Sequence, residues 1–400
     1  MKRKFVLFFL IWLIVFGLYL FSNKQILNQN KVITWEKTFG GSIVDRVNSF
    51  IQITDGGYAV AGFTFSYGAG EADFWVIKLD SDGNREWDKT FGGSNYDWAY
   101  SLIQTTDGGY AVAGETTSYG AGGGDFWLIK LDNRGKKLWD KTFGGWRTDR
   151  AYSLIQTTDG GYAVAGETES RGEGGSDFWV IKLDNQGKKE WDKTFGGSKY
   201  DYANSLIQTT DGGYAVAGDT NSKGTGNYDF WLIKLDSRGN KCWDKTFRGT
   251  KYGSKYIFTY SLIQTTDGGY AVAGATSGDF WVIKLDSDGN REWDKTFGGS
   301  KYDYANSLIQ TTDGGYAVAG TTSSKGAGRE DFWIIKLDSD GNREWDKTFG
   351  GRLADHANSL IQTTDGGYAV AGDVHVDTNS IYVDNIDFWV IKLDKKSNLR

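Results

Sequence analysis

From Trp35 onward the chain alternates short apolar runs with polar turns at regular spacing. In the stretch 100–143, Ser101–Thr106 reads as a strand, Asp107-Gly108-Gly109 as a tight turn, and Tyr110–Gly114 as the antiparallel partner. A Gly-rich loop leads to Asp125–Asp132, where Phe126, Trp127, Leu128, Ile129 and Leu131 leave no polar face. Such a strand is expected to be buried on both sides. A short polar turn, Asn133–Lys136, then precedes a fourth strand at Leu138–Phe143.

This four-strand unit recurs. The tryptophans opening the phrase Trp-(Asp/Glu)-Lys-Thr-Phe stand at 35, 87, 139, 191, 243, 293 and 345, a spacing of 52 in every interval but one, which is 50. The odd copy gains residues before its Asp-Gly-Gly and loses others before Asp279, so length varies in loops and not in strands. Seven meandering four-stranded units at this period predict an all-β fold, a seven-bladed β-propeller of antiparallel blades. The array starts with an outermost strand, Trp35–Phe39, and finishes with a third strand, Phe388–Asp394, that lacks an outermost partner. Pairing these two segments closes one domain over 35–394 and removes exposed strand edges, leaving 395–400 as a polar tail.

The N-terminus adds a different element. Lys2, Arg3 and Lys4 precede an apolar run from Phe5 to Phe21, long enough for a hydrophobic helix of roughly 25 Å. Residues 1–22 read as a signal-anchor or signal peptide, and 23–34 as a linker. No small-residue cleavage pattern follows the run, which favours an uncleaved anchor. The basic residues ahead of it place the propeller outside the cytoplasm, membrane-anchored or, after cleavage, secreted. Cys242 is the only cysteine, so no disulfide framework is available there. The formal charge of −6 speaks against nucleic acid as a partner.

The phrase Leu79-Asp80-Ser81-Asp82-Gly83-Asn84-Arg85-Glu86-Trp87 resembles the repeat of quinoprotein-type (PQQ-type) propellers, which carry that Trp on the outermost strand. The Asp-Gly-Gly-Tyr repeats are also similar to those of exported bacterial and archaeal proteins. The quinoprotein resemblance implies a propeller and, more remotely, a quinone-dependent dehydrogenase. Two departures weaken the enzymatic part: seven units rather than eight, and one cysteine where many such enzymes pair two.

Features present in every unit, such as Trp75, Trp87, Lys78 and Asp55, are expected to serve packing. The Asp80–Asn84 turn lacks the spacing of a calcium loop. Variation concentrates in the loops entering each first strand and those between second and third strands, which share one rim. That rim carries Tyr96, Trp98, Trp146, Tyr200, Tyr202, Tyr302 and Tyr304, aromatics able to stack on sugars or anchor a protein. Before each innermost strand but the fifth stands a carboxylate: Asp45, Asp97, Asp149, Asp201, Asp303 and Asp355. These would cap their loops or, in a sharper reading, form a cation-binding ring at the channel mouth. In the last unit Asp373, His375 and Asp377 alternate and His356 lies on the same rim, a set with the chemistry to hold a divalent metal; no other cofactor is expected.

The resulting expectation is a non-catalytic extracytoplasmic binding or scaffold propeller, monomeric, engaging a glycan or protein through its variable rim and a membrane only through the N-terminal segment. The alternatives are a carbohydrate-active hydrolase or lyase using rim carboxylates and, behind it, the quinone-dependent dehydrogenase.

Overall fold

The computed structural model describes residues 33–224, 228–248, 257–376 and 385–395. The hydrophobic segment 1–22, most of the linker and Asp377 lie outside them. Seven four-stranded antiparallel sheets follow one another in chain order, six of them built from consecutive strands. The seventh takes its three inner strands from Asp355–Gln362, Tyr368–Val376 and Asn385–Leu393, and its outermost from Ile33–Phe39. In that closure Phe39 stands opposite Phe388 and Ile33 opposite Leu393. Trp35 sits edge-on to Tyr58 of blade 1, ring centroids 5.5 Å apart, so the borrowed strand also touches the next blade.

Burial follows the hydrophobic pattern. The second and third strands are buried along nearly their whole length, whereas the outermost alternate between exposed and half-buried positions. Each hydrophobic cluster belongs to two adjacent blades; Phe74 of blade 1 packs on Trp127 of blade 2 at 4.8 Å, and Phe388 packs on Trp75 across the closure at 4.7 Å. Aromatic burial of this kind explains why the Trp and Phe recur in every unit. The Trp75 indole N–H donates to Asp88 at 3.1 Å. The buried Lys130 ammonium reaches the Asp107 carboxylate of the Asp-Gly-Gly turn at 2.9 Å, which pins the turn onto the third strand.

Two closed hydrogen-bond rings run around the inner strands. A bulge between Ala99 and Ser101, repeated in every blade, shifts the register of the innermost strand. Beside it the Leu102 amide donates to Ser49 Oγ of the preceding blade at 3.1 Å, and the Phe50 amide does the same to Ser359 Oγ across the closure. Further along, the Thr54 amide donates to Gln104 Oε1 at 2.9 Å and the Thr364 amide to Gln52 Oε1 at 3.0 Å. The bulge also accounts for Gly114. A Cβ there would stand 1.9 Å from the Trp98 carbonyl oxygen, so no side chain fits opposite the kink.

The bulge corrects one boundary. The innermost strand begins at Asp97, not at Ser101, because the extra residue interrupts the period-two alternation that marks a strand. Asp97, Trp98 and Tyr100, read as loop, are strand residues.

The Asp–Lys turns make stability pH-dependent. Burial pushes the Asp107 carboxyl up, but hydrogen bonds from Thr105, Lys130 and Gly109 outweigh it and hold the group at about 2, as in Asp159, Asp211, Asp267 and Asp365. A folded pKa below the unfolded value contributes stability that is complete above about pH 4 and lost as pH falls through about 2. Thermal scans of Asp107→Asn are expected to show a lower midpoint than the parent at pH 6, with the two converging at pH 2.

Candidate functional site: the mouth of the central channel

Within otherwise repeated strands, three positions per blade differ and face the channel. The innermost strand supplies Arg46 and Asn48, Trp98 and Tyr100, Arg150 and Tyr152, Tyr202 and Asn204, Tyr304 and Asn306, and His356 and Asn358 in blades 1–4, 6 and 7. The second strand adds Phe63, Glu115, Glu167, Asp219, Thr321 and Asp373 directly opposite the first of each pair. Most of these, with Tyr260 of blade 5, Glu169 and Glu330, line a cavity of about 910 Å³ at the variable end of the channel.

Their polar groups hold one another in place. Between blades 2 and 3, Arg150 Nε donates to Glu115 at 2.8 Å and its Nη1 to Glu167 at 2.8 Å, while the Tyr152 hydroxyl donates to Glu167 at 2.6 Å. Both glutamates are buried. Burial pushes the Glu115 carboxyl up, and Arg150 opposes that rise. The Tyr100 and Tyr152 rings stand 5.2 Å apart beside this group.

Asn–Asp pairs stitch two other interfaces. Asn204 Nδ2 donates to Asp219 at 3.0 Å and to the Thr259 carbonyl at 2.7 Å, and the Thr259 amide donates back to Asp219 at 2.7 Å. The same arrangement, Asn358 with Asp373, Val47 O and Val47 N, ties blade 7 to blade 1. Burial pushes Asp219 up to about 8 and Asp373 to about 7 despite those donors.

The last blade brings its histidines together. His356 Nε2 meets Glu330 of blade 6 at 2.5 Å, His375 Nδ1 hydrogen-bonds the Ala354 carbonyl, and the two rings lie 6.1 Å apart at 85°. Asp373 turns the other way, onto blade 1. Among the described residues no three His, Cys, Asp or Glu side chains are placed to share a metal.

The rim aromatics divide. Trp98, Tyr202 and Tyr304 belong to the inner strands, and rim residues extend them outward: Tyr96 packs on Trp98 at 5.7 Å, Tyr200 on Tyr202 at 6.4 Å and 19°, and Tyr302 on Tyr304 at 6.2 Å and 7°. Trp146 stands apart, 91% exposed, above a smaller cleft with Arg147, Arg171 and Glu169. Asp45, Asp97, Asp149, Asp201, Asp303 and Asp355 are buried and do not line the channel. Asp97 accepts from the Thr116 hydroxyl, from Ser118 Oγ at 2.7 Å and from the Gly93 amide at 2.8 Å, which caps its loop.

Sequence reasoning passed over Arg46, Asn48, Tyr100, Glu115, Arg150, Tyr152, Glu167 and Asp219. The signal was present: in Asp-x-Ala-x-Ser-Leu-Ile-Gln and Tyr-Ala-Val-Ala-Gly-x-Thr, the varying positions are the inward ones.

No family model and no curated protein matches the chain. Solved propellers do. The WD40 domain of Neurospora crassa Pan2 is 11% identical, covering 86% of this chain and 88% of that one at TM-score 0.53. BBS1N, from its complex with ARL6DN, is 9% identical over 92% and 98% at 0.52. A chain of the Drosophila Plexin A complex with Semaphorin 1b is 7% identical over 90% and 88% at 0.51. At such identities the likeness is one of fold.

Proposed function

We propose that this protein is a non-catalytic binding propeller working outside the cytoplasm, and that it takes a glycan into the variable mouth of its channel. The observation that carries the reading is that, along the two innermost strands of the blades, the residues that change most from blade to blade are the channel-facing ones. Packing demands sameness from each blade, whereas a single ligand on the axis meets a different wall on every side.

The wall chemistry supports a sugar. Tyr100, Tyr152, Tyr202, Tyr260 and Tyr304 offer aromatic faces, and amides, carboxylates and two arginines stand between them. Sugars present apolar C–H faces beside hydroxyls that both donate and accept, which such a wall can meet. The Arg150–glutamate and Asn–Asp networks fix these groups in advance, the preorganisation that lowers the entropic cost of binding. A protein segment is the second reading. It is favoured by the exposed Trp146 beside Arg147 and Arg171, and by the complexes that BBS1N and Plexin A form.

The test is a glycan array, with pull-downs in parallel, using the detergent-solubilised full chain and a Tyr202→Ala/Tyr304→Ala variant. Array hits that weaken by about thirtyfold or more in the variant are expected, the size of a binding hot spot. Hits retained by the variant, or only protein partners that depend on Trp146, would refute the glycan reading.

A further inference from the structure

The repeated aspartates buried between blades carry a second inference, independent of the channel ligand. Asp73 opens the third strand of blade 1 and Asp97 opens the first strand of blade 2. They are 1% and 0% exposed. Their carboxylates converge on Gly92: a Cβ built there would stand 1.6 Å from Asp73 Oδ1 and 2.7 Å from Asp97 Oδ2. The Asp73 carboxylate takes up the place a side chain would need, so only glycine lets the two acids come this close.

The two acids are not equally served. Asp97 has three donors, from Gly93, Ser118 and Thr116. Asp73 accepts from the Ala69 amide through Oδ2 alone, and its Oδ1, facing Asp97, has no hydrogen-bond partner. No lysine, arginine or histidine side chain among the described residues pairs with either carboxylate. Two buried negative charges side by side with no counter-charge are a cost that proteins avoid unless a cation or a proton intervenes.

The convergence on a glycine recurs: Asp125 and Asp149 meet at Gly144, Asp177 and Asp201 at Gly196, Asp279 and Asp303 at Gly298, and Asp331 and Asp355 at Gly350, where a Cβ would stand 1.6–2.2 Å from the first acid and 2.7–2.8 Å from the second. At the closure Asp387 lies at Gly40, next to Asp45. Asp177 Oδ1 and Asp387 Oδ1 are again buried without a hydrogen-bond partner. Only the interface of blades 4 and 5 departs, with Ile257 where the second aspartate would stand.

We propose that each of these six aspartate pairs binds a hard divalent cation, of the calcium class, between the two carboxylates. Hard cations take oxygen ligands, and here the Asp73 and Asp97 carboxylates stand with the Thr116 and Ser118 hydroxyls beside them. The ion links the third strand of one blade to the first strand of the next, at the end of the channel where the loops vary. It is a fastening for the ring, distinct from the turns at Asp80.

The test uses the full chain in detergent, stripped with a chelator and titrated with calcium alone or magnesium alone. Metal analysis after dialysis is expected to return about six ions per chain, and millimolar calcium to raise the melting midpoint by about 5 °C or more. Asp73→Asn keeps the size and the Ala69 contact and is expected to lower the count by one. The proposal is overturned by absence of bound metal and of any calcium or magnesium shift, the result for pairs neutralised by a shared proton. It is equally overturned if metal binds but Asp73→Asn leaves the count unchanged.

Discussion

Deleting residues 33–39 is expected to cost this protein its closed ring and, with it, at least about 4 kcal/mol of stability. Among the described residues, the strand they form is the only partner of the outer edge of Asn385–Leu393. Its loss uncovers that edge and removes Trp35 and Phe39 from the cluster they share with blades 7 and 1. Removing one well-buried aromatic costs about 3–5 kcal/mol, and these two are half-buried, which sets the estimate. The exposed edge also becomes a template for pairing with a second chain, so size-exclusion profiles should shift toward oligomers. A variant lacking only 33–39 that melts where the parent melts, as a monomer, would show that the two segments do not carry the closure.

Arg150→Met is the second large effect, because it leaves Glu115 and Glu167 buried, adjacent and without their shared cation. Breaking such a group by removing one partner costs about 3–5 kcal/mol, most of it the penalty for the stranded charge. The pH dependence separates this from simple loss of packing. With Arg150 absent, burial and the neighbouring Glu167 hold the Glu115 carboxyl above its ordinary range, so the folded form takes up a proton more readily than the unfolded chain. The deficit of the variant should then be largest at neutral pH and shrink as pH falls toward 4. A deficit independent of pH, as read by thermal melts from pH 4 to 8, would contradict the network. Glu115→Gln combined with Arg150→Met should recover part of the loss, since one buried charge is removed.

Much of the fold was legible in the sequence because repetition amplifies a weak signal. One strand of seven residues says little, but Trp127, Trp179 and Trp231 at constant spacing identify a buried strand with no ambiguity of period. Borrowing of the outermost strand was legible too, from a repeat array that starts with Trp35–Phe39 and finishes on a third strand without an outermost partner of its own. The site was less so, for two reasons of geometry. The bulge at Ala99–Ser101 hides the first half of each innermost strand, which moved Trp98, Tyr202 and Tyr304 from the channel wall to the rim in the sequence reading. The same bulge hid Arg150, whose partners Glu115 and Glu167 are distant in the chain and meet it only once neighbouring blades are packed. The aspartates before the inner strands cap their loops, as one of the two sequence expectations has it, and do not ring the channel mouth: Thr116 and Ser118 bind Asp97 between blades, because strand alternation sends it away from the face that Trp98 occupies.

The central claim is that ligand sits against the inward-facing positions that vary from blade to blade. Hydroxyl-radical footprinting of the full chain, with and without a saturating array-selected glycan, reads aromatic side chains one by one. The account predicts protection of Tyr202, Tyr260 and Tyr304, with Tyr67 and Tyr119, exposed residues of the loops between the second and third strands of blades 1 and 2, unchanged. Protection confined to Tyr67, Tyr119 or Trp146, with the channel tyrosines as reactive as in the free protein, would contradict it.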